Sequence, residues 1–350
     1  MEKNKKGVII VGWIDRGNIP DNGETVKNQL MITRLQELGV RCRQMDFKRW
    51  KRHPWVILQF GWSLLFHRND TLVFSTSLDN VYWLMRLMKL VGWKQNMVHW
   101  VIGGALGERV KRGERNPQVL NYMNYTLVES PLMAQQLAEC GVEHVMQLPN
   151  FKQIEYIPKK VACSHKSVVK FVFLSRIVAG KGCDYILEAV RKLNELGYQD
   201  RFVVDFYGSI ASEYQESFEA GCASLQNVTY KGFLNLRSPS GYDTLSSYDV
   251  MLFPTYWKSE GFAGVFVDAF IAGLPIIASR WAHNERFLVE GETALFVPVH
   301  DVNSLKNRML DCIEGRVDLH QMSIHCQAEA SKYDVKAVIT ENLLQRIGIM

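Results

Sequence analysis

The sequence lacks the features that mark disulfide-stapled, zinc-binding and membrane-spanning proteins. Its seven cysteines are scattered, odd in number and without a Cys-x-x-Cys pair, which favours a reducing cytosol and argues against a disulfide framework or a metal site. The longest apolar run, Trp55 to Phe66, has 12 residues and is shorter than the ~20 that span a bilayer. The opening residues MEKNKKG predict no signal peptide, and no repeat or low-complexity segment is present.

The bulk composition is that of an ordinary globular protein. The 350 residues are 47% hydrophobic and 22% charged, enough for two domains with separate cores. The net charge of +5 is unevenly placed, because residues 1–150 carry +7 and the remainder −2. A basic N-terminal half indicates an anionic partner, either nucleic acid or an anionic membrane. Since the basic residues form no recognisable nucleic-acid module, we expect the membrane and no nucleic acid.

Strand and helix patterns alternate along most of the chain, which predicts an α/β fold with parallel sheets. The expected elements include Trp55–Phe66, the strands Phe202–Tyr207 and Ala294–Val297, and a helix from about Asn284. We expect an N-terminal domain at 1–151, a polar and basic linker at 152–167 and a second domain at 168–333. A C-terminal helix at about 334–350 is expected to pack back on the first domain. Two doubly wound domains in series imply a ligand cleft between them, at the carboxyl ends of their strands.

The stretch Phe253–Gly273 reads FPTYWKSEGFAGVFVDAFIAG and predicts a strand end, a glycine-containing turn and a helix of about three turns. The N-terminus of such a helix suits a phosphate, and Gly261 and Gly264 allow the backbone to approach it. Two carboxylates, Glu260 and Asp268, bracket this terminus. They would accept hydrogen bonds from the hydroxyls of a sugar and a ribose. The alternative is a buried crossover whose glycines serve packing alone.

A second loop follows the predicted strand at 168–174 and reads SRIVAGKG. Arg176 and Lys181 lie five residues apart in it, with Gly180 and Gly182 beside them. Two cations at the carboxyl end of a strand suit a diphosphate, because an arginine can engage two oxygens at once. The alternative is a pair of solvated surface cations.

These stretches resemble the family-4 retaining glycosyltransferases of the GT-B fold. The resemblance rests on SRIVAGKGCDYILEAV, FYG, YKGF, PTYWKSEGFAGVFVDAFIAGLPIIAS and NERFLVEGETALFVP in the second half of the chain. It extends to PDNGETVKNQLMITRLQELG and LVESPLMAQQLAECGVEHVMQLPN in the first half. It implies two Rossmann-like domains that face each other across a cleft.

The resemblance also implies an activity. The enzyme would move a sugar from a nucleotide sugar, a UDP-sugar, to a hydroxyl of a lipid-linked or oligosaccharide acceptor, with retained configuration and with neither metal nor cofactor. The setting would be cell-surface polysaccharide synthesis in the cytoplasm, at the inner face of the membrane. Two alternatives stay open: a non-catalytic nucleotide-sugar-binding subunit, and a nucleotide-sugar epimerase, for which we find no convincing acid/base set around the sugar carbon.

Site residues follow from the resemblance, position by position. The implied catalytic residues are Arg176 and Lys181 at the pyrophosphate and Glu260 at the donor sugar, in accord with cations that meet leaving-group charge. Among the implied donor-binding residues, Gly264 and Val265 would bind phosphate through their backbone, Asp268 would bind the ribose, and Gly232 and Phe233 would border the base. The others are Phe262 and, in the first domain, Gly23 and Gly103.

The sequence departs from the family pattern at two positions. The family usually has glutamate where this chain has Asp268, so the ribose must sit closer or be bridged by water. Many members also carry a histidine at the end of the strand represented here by MVHWVIGGAL, where this chain has Ile102 or Gly103. Strand alternation puts His99 and Val101 on one face, so we expect His99 to be an interior strand residue.

The segment Phe47–Trp55, FKRWKRHPW, together with the apolar run to Phe66, is the candidate membrane surface. Its cations would attract anionic lipid, and Trp50 and Trp55 suit the headgroup boundary. The cluster Lys111–Arg115, KRGER, would add to it. The alternative is a solvated basic helix end.

Overall fold

The computed structural model describes residues 6–15, 23–48, 50, 52–159, 168–258 and 260–350. The chain divides into two compact units. Unit 1 comprises Met1–Gln153 and Tyr333–Met350, and unit 2 comprises Ile154–Lys332. Residues 160–167 of the predicted linker lie outside the described residues.

Unit 1 is built on a six-stranded parallel sheet with strand order β2-β1-β3-β4-β5-β6. The strands are β1 (Gly7–Gly12), β2 (Arg41–Asp46), β3 (Thr71–Thr76), β4 (Met97–Val101), β5 (Tyr125–Val128) and β6 (Val145–Gln147). Its helices are α1 (Gly23–Glu37), α2 (Trp55–Phe66), α3 (Leu78–Leu90), α4 (Leu106–Lys111), α5 (Pro117–Leu120), α6 (Pro131–Glu139) and, from the C-terminal segment, α13 (Val335–Val338) and α14 (Glu341–Arg346).

Side-chain alternation along the strands of unit 1 produces two cores, one on each face of the sheet. One core gathers α1, α13 and α14 against side chains such as Val98 and Trp100 of β4. The other gathers α2, α3, α4 and α6 against Met97 and Val101 of the same strand. The C-terminal segment is tied in further, because Thr71 Oγ1 donates to the carbonyl of Gly348 at 2.6 Å.

Unit 2 repeats the architecture with strand order β12-β11-β10-β7-β8-β9. The strands are β7 (Val169–Leu174), β8 (Phe202–Tyr207), β9 (Val228–Tyr230), β10 (Val250–Phe253), β11 (Ile276–Ser279) and β12 (Ala294–Val297). The helices are α7 (Cys183–Glu195), α8 (Gln215–Ala223), α9 (Pro239–Ser246), α10 (Gly264–Ala272), α11 (Val302–Ile313) and α12 (Leu319–Ala330).

Both units are therefore doubly wound α/β domains, which confirms the predicted fold class. In unit 2 the chain first extends the sheet from β7 to β9 and then returns to the other side of β7 with β10. The order reverses between β7 and β10, and ligands of doubly wound sheets bind at the carboxyl ends of strands at such a switch point.

One predicted element is wrong. A helix was expected from about Asn284, but the chain forms only a single 3₁₀ turn at Asn284–Arg286. The preceding Ala282 has a φ of 48°, which an α-helix does not accommodate, and Gly291 turns the chain into β12 with a φ of 77°. The segment is a short connection between adjacent strands.

The apolar run of the sequence folds as α2, a helix of 12 residues. Within the part of the chain that the structure describes, no helix combines the length and apolar character that crossing a membrane requires.

His99 lies in β4 with none of its surface exposed, which confirms the prediction of an interior strand residue. Neither ring nitrogen has a hydrogen-bond partner among the described residues; the backbone of Thr76 is near but not at hydrogen-bonding geometry. Burial lowers the pKa of His99 to about 4, against an opposing effect of that backbone group. The ring is therefore neutral at neutral pH.

We expect His99 to make the unfolding free energy of unit 1 sensitive to acid. Because its pKa is lower in the folded chain than in the unfolded chain, the unfolded state binds more protons between about pH 4 and 6.5. The stability that the neutral ring contributes is complete above this window and is lost as the pH falls through it, by about 3 kcal/mol. Urea unfolding should show that the difference in unfolding free energy between wild type and His99→Leu changes by that amount across the window.

The exposed His53 provides the control, since His53→Leu removes a solvated ring from the same unit. Its difference from wild type should stay constant over the same pH range. A constant difference for His99→Leu as well would show that the ring titrates normally, contrary to its burial.

Candidate functional site

The switch point of unit 2 brings together the two loops that the sequence singled out. β7 and β10 pair in parallel, with Phe171 opposite Val250 and Val172 opposite Met251. The loop after β7 carries Arg176 and Lys181, and the loop after β10 leads to the N-terminus of α10. Both loops thus leave the same edge of the sheet from neighbouring strands.

Close backbone contact holds the two loops against each other. The amide of Tyr256 donates to the carbonyl of Gly180 at 2.9 Å. Gly182 has a φ of 79°, and a Cβ there would lie 2.2 Å from the carbonyl oxygen of Pro254. No other residue type fits that position without displacing the second loop, so the glycine fixes the distance between the loops.

Lys181 and Glu260 form an ion pair across this contact, between Nζ and Oε2. Only 12% of the lysine side chain and 10% of the glutamate side chain are exposed. Thr255 Oγ1 also donates to Glu260, at 3.1 Å, and Lys181 Nζ lies 5.3 Å from the ring centre of Phe253. Two of the predicted catalytic residues are therefore in direct contact, and each supplies the charge that allows the other to be buried.

Arg176, the third predicted catalytic residue, is exposed at the same edge. Its guanidinium carbon lies 5.2 Å from the ring centre of Trp257, a stacking geometry that orients the charge without neutralising it. The carbonyl of Trp257 in turn accepts from Trp281 Nε1 at 2.8 Å. No described carboxylate forms an ion pair with Arg176, so its full charge is available to an anion.

Helix α10 runs from Gly264 to Ala272 with Gly273 as its C-cap, and it is shorter than the three turns expected from the sequence. Among the described residues, no side chain caps its N-terminus. The first backbone N–H groups, those of Gly264 and Val265, thus face outward from a helix end that carries partial positive charge. Phe262, just before the helix, is only 3% exposed and stacks on Phe287 with ring centres 4.0 Å apart, so its ring belongs to the core.

Asp268 lies in the second turn of α10 and is 5% exposed. Its Oδ1 accepts a hydrogen bond from Tyr242 Oη at 2.9 Å. Burial, together with the neighbouring carboxylate, raises the pKa of Tyr242, which keeps the phenol protonated as a donor. The ribose role of Asp268 stays a prediction, and the structure adds an internal partner that the sequence did not indicate.

The residues predicted to border a base lie just after β9. The carbonyl of Gly232 accepts from the amide of Gly208 at 2.8 Å, which ties the loop after β9 to the end of β8. Phe233 is 80% exposed, unusual for so large an apolar side chain. An exposed aromatic ring on a fixed loop is suited to cover a flat heterocycle.

The two predicted residues of unit 1 also lie at a carboxyl edge. Gly23 is the first residue of α1, which follows β1. Gly103 follows β4 by two residues and has a φ of 100°, a backbone conformation that favours glycine. Their contact with a donor stays a prediction.

Sequence reasoning missed Glu24, which lies at the start of α1 near the end of β3, where the strand order of unit 1 reverses. Burial raises the pKa of Glu24 to about 7, while a hydrogen bond to the Thr76 side chain and the charge of Lys27 oppose the shift. Its Oε1 is buried without a hydrogen-bond partner among the described residues. An acid in the first turn of a helix is the ordinary pattern of a dipole-compensating residue, so the sequence carries no signal of this burial.

A cavity of about 290 Å³ also opens in unit 2, but at a different place. It lies over the sheet toward the amino ends of β7, β8 and β9, with Lys170, Val203 and Asn227 among its lining residues. Since ligands of doubly wound sheets bind at carboxyl ends, we place the functional site at the switch point and not in this cavity.

Part of unit 2 is similar to a known protein family. Residues 169–315 match the family model described as Glycosyl transferases group 1. The matched range runs from β7 through α11 and includes all three predicted catalytic residues.

Two curated relatives match about half of the chain. One is an uncharacterized 41.2 kDa protein in the cps region of Klebsiella pneumoniae, 25% identical over 168 residues that cover 47% of this chain and 42% of that protein. The other is 2-deoxystreptamine N-acetyl-D-glucosaminyltransferase of Niallia circulans, 26% identical over 159 residues that cover 45% of this chain and 39% of that protein. The matches thus span less than half the length of either relative.

The fold likeness extends over nearly the whole chain. The crystal structure of Anabaena HepE in complex with UDP superposes with a TM-score of 0.72 at 12% identity, covering 98% of this chain and 100% of that one. The chain therefore has the GT-B fold, with two six-stranded parallel sheets flanked by helices.

We expect Lys181 and Glu260 to be strongly coupled in the stability of unit 2. Lys181→Ala should cost about 3–5 kcal/mol, because it leaves a buried carboxylate without its cation. In the Lys181→Ala variant, Glu260→Gln should lower the free energy of unfolding much less than it does in wild type. The difference gives a coupling energy of up to about 3 kcal/mol. Urea unfolding of the two single variants and the double variant measures it.

The exposed pair Arg191–Glu188 on α7 provides the matched control for this cycle. Its coupling energy should stay below about 1 kcal/mol, since water screens both charges. Additive effects at Lys181 and Glu260 would contradict the buried ion pair.

Glu24→Gln should stabilise unit 1 above neutral pH. The folded carboxyl holds its proton up to about pH 7, whereas the ordinary value is 4.5, so stability is lost as the pH rises through this window. The variant resembles the neutral form and should gain up to about 3 kcal/mol over wild type on the alkaline side and nothing near pH 4.5. Urea unfolding at both ends of the window measures this, with Glu37→Gln on the same helix as control; an equal gain at both ends would mean that Glu24 does not titrate there.

Proposed function

We propose that this protein is a retaining glycosyltransferase that moves a sugar from a UDP-sugar to a hydroxyl of a lipid-linked or oligosaccharide acceptor, without a metal. The family match at 169–315 and the glucosaminyltransferase relative support the transfer of sugars. The UDP held by the similar structure of HepE supports the donor. The cps-region relative supports a place in cell-surface polysaccharide synthesis, which would put the enzyme at the cytoplasmic face of the membrane.

The observation that carries this proposal is the charge arrangement at the switch point of unit 2. Arg176, Lys181 and the uncapped start of α10 converge on one sheet edge. A pyrophosphate bound there would meet two cations and a helix N-terminus at once. These are the groups that stabilise negative charge as it develops on a departing phosphate.

The chemistry assigned to each residue follows from its environment. As the bond between the sugar and the phosphate oxygen breaks, Arg176 and the amides of Gly264 and Val265 would face the charge that forms on the leaving group. Lys181 would be shared between the phosphate and Glu260, because its three N–H donors can serve both. Glu260, held beside that lysine, would accept hydrogen bonds from hydroxyls of the donor sugar.

The nucleoside is assigned to the edge beyond β8 and β9. Phe233 would cover the base, with the backbone of Gly232 beside it. Asp268, which accepts a hydrogen bond from Tyr242, would reach the ribose.

A non-catalytic nucleotide-sugar-binding subunit is the second candidate. It is favoured by His99, whose ring lies in the interior of β4 and cannot serve as the histidine that many members carry at the end of this strand. The two candidates differ in turnover: only the enzyme hydrolyses or transfers the donor.

Arg176→Ala should cut turnover by ~10²-fold or more, the scale of removing one charge-stabilising donor. The assay is donor hydrolysis without acceptor, run with UDP-, GDP- and ADP-glucose in turn, with the highest rate expected for the UDP-sugar. Arg191→Ala removes an exposed arginine of the same unit and should turn over normally. Activity per folded His99→Ala molecule should stay within a few-fold of wild type.

Two results would contradict the proposal. Equal turnover and donor affinity in Arg176→Ala would remove the pyrophosphate from this edge. Donor binding with no hydrolysis or transfer for any of the three sugars would favour the non-catalytic subunit.

A further inference from the structure

Exposed large apolar side chains are concentrated on two helices of unit 1. Of the eighteen found among the described residues, ten lie between residues 55 and 91, and several are more than 60% exposed. They are Trp55, Ile57, Leu58, Trp62, Leu65 and Phe66 of α2, Trp83, Leu87 and Leu90 of α3, and Val91. Such a cluster on one part of a surface marks an interaction site.

Helix α2 is apolar on both of its sides. Phe60 and Leu64 pack into the core, while Trp55, Leu58 and Trp62, three and four residues apart, share the outward side. At 12 residues the helix is about 18 Å long, well short of the ~30 Å of a bilayer core. It can therefore lie in a membrane interface but cannot cross it.

Helix α3 extends the same surface. Leu84 and Met88 pack into the core that also holds the inner side of α2, while Trp83, Leu87 and Leu90 point outward. Since both helices pack on the same face of the sheet, their outward sides point away from it in the same direction. We call this surface, the outward sides of α2 and α3, the α2–α3 face.

The charge around the α2–α3 face is almost entirely positive. The two acids of this stretch are engaged, because Asp70 pairs with Arg43 and Asp79 pairs with Arg109 and Arg115. The exposed cations are Arg52, Arg68, Arg86, Lys89 and Lys94, and none of them forms an ion pair with a described carboxylate.

The cations named from the sequence are largely engaged elsewhere. Lys48 pairs with Asp15 at 2.7 Å. In the KRGER cluster, Lys111 pairs with Glu139 at 3.1 Å and Arg115 with Asp79. Arg49 and Lys51 lie outside the described residues. The candidate surface thus keeps the predicted apolar run, α2, and Arg52, and it gains α3 and the cations Arg68, Arg86, Lys89 and Lys94.

We propose that the α2–α3 face docks on an anionic lipid bilayer, with the tryptophans at the headgroup boundary and the cations on lipid phosphates. Apolar side chains surrounded by cations, with the nearby carboxylates paired to arginines, fit such a surface. A second copy of this chain fits poorly, because two such faces would bring like charges together. The inference goes beyond the proposed function and does not depend on it.

The test is co-sedimentation of the full chain with vesicles of phosphatidylcholine alone and of phosphatidylcholine mixed with phosphatidylglycerol. We expect binding to the anionic vesicles that weakens as salt rises. Trp62→Ser with Leu65→Ser should lower the affinity at least about tenfold, because it removes two exposed apolar side chains that docking would bury in the bilayer. Arg86→Gln and Lys94→Gln should each lower it about fivefold and reduce the salt dependence.

Matched controls come from surfaces outside the α2–α3 face. Leu196→Ser removes an exposed leucine of unit 2, and Lys336→Gln removes an exposed lysine from the helices on the opposite side of the unit 1 sheet. Both should bind vesicles like wild type. All the substituted side chains are solvent-exposed, so each variant should keep the wild-type melting temperature, and the charge variants test the surface independently of the apolar ones.

Three outcomes would overturn the proposal. The first is equal binding to neutral and anionic vesicles, and the second is wild-type binding by both sets of α2–α3 variants. The third is a chain that binds no vesicles and forms a dimer that these substitutions dissociate. Donor hydrolysis by the same variants, in solution without vesicles, should match wild type. Loss of vesicle binding with normal hydrolysis would therefore support the docking surface and leave the proposed function unaffected. Absence of hydrolysis in wild type and variants alike would contradict the proposed function and leave the docking surface unaffected.

Discussion

The buried ion pair between Lys181 and Glu260 is the interaction on which the carboxyl edge of unit 2 depends. Each charge would cost several kcal/mol to remove from water alone, so neither loop can move away without exposing or orphaning a charge. The close contact of Gly182 with Pro254 sets the distance over which the pair can form. The positions of Arg176 and of the α10 N-terminus follow, because both belong to the loops that this pair joins.

The pair also determines how the edge would respond to an anion. Lys181 and Glu260 neutralise each other, so the free positive charge comes from Arg176 and from the amides of α10. In our proposal a bound diphosphate would share the lysine with Glu260. The carboxylate, released in part from Lys181, would then accept hydrogen bonds from sugar hydroxyls.

Local patterns predicted most of the fold and the two loops that form the candidate site. Trp55–Phe66, Phe202–Tyr207 and Ala294–Val297 form elements with the expected bounds, because apolar periodicity and flanking turn residues are properties of short windows. What failed or was missed depends on contacts distant in sequence. The partner of Asp268 is Tyr242 on another helix, and the burial of Glu24 comes from β3 and its surroundings, which no window around either residue contains.

The uneven charge of the chain reflects two different uses of electrostatics. An anionic membrane attracts a protein through cations that are exposed, numerous and unpaired. This electrostatic attraction falls off over about 8–10 Å at physiological salt. The five cations of the α2–α3 face have that character, and they contribute to the net charge of +7 of the first 150 residues. A diphosphate site instead needs a few charges held at fixed positions, with compensating acids nearby. Unit 2 can therefore carry a slightly negative net charge and still present a local anion site, because its selectivity comes from geometry and not from the sum of its charges.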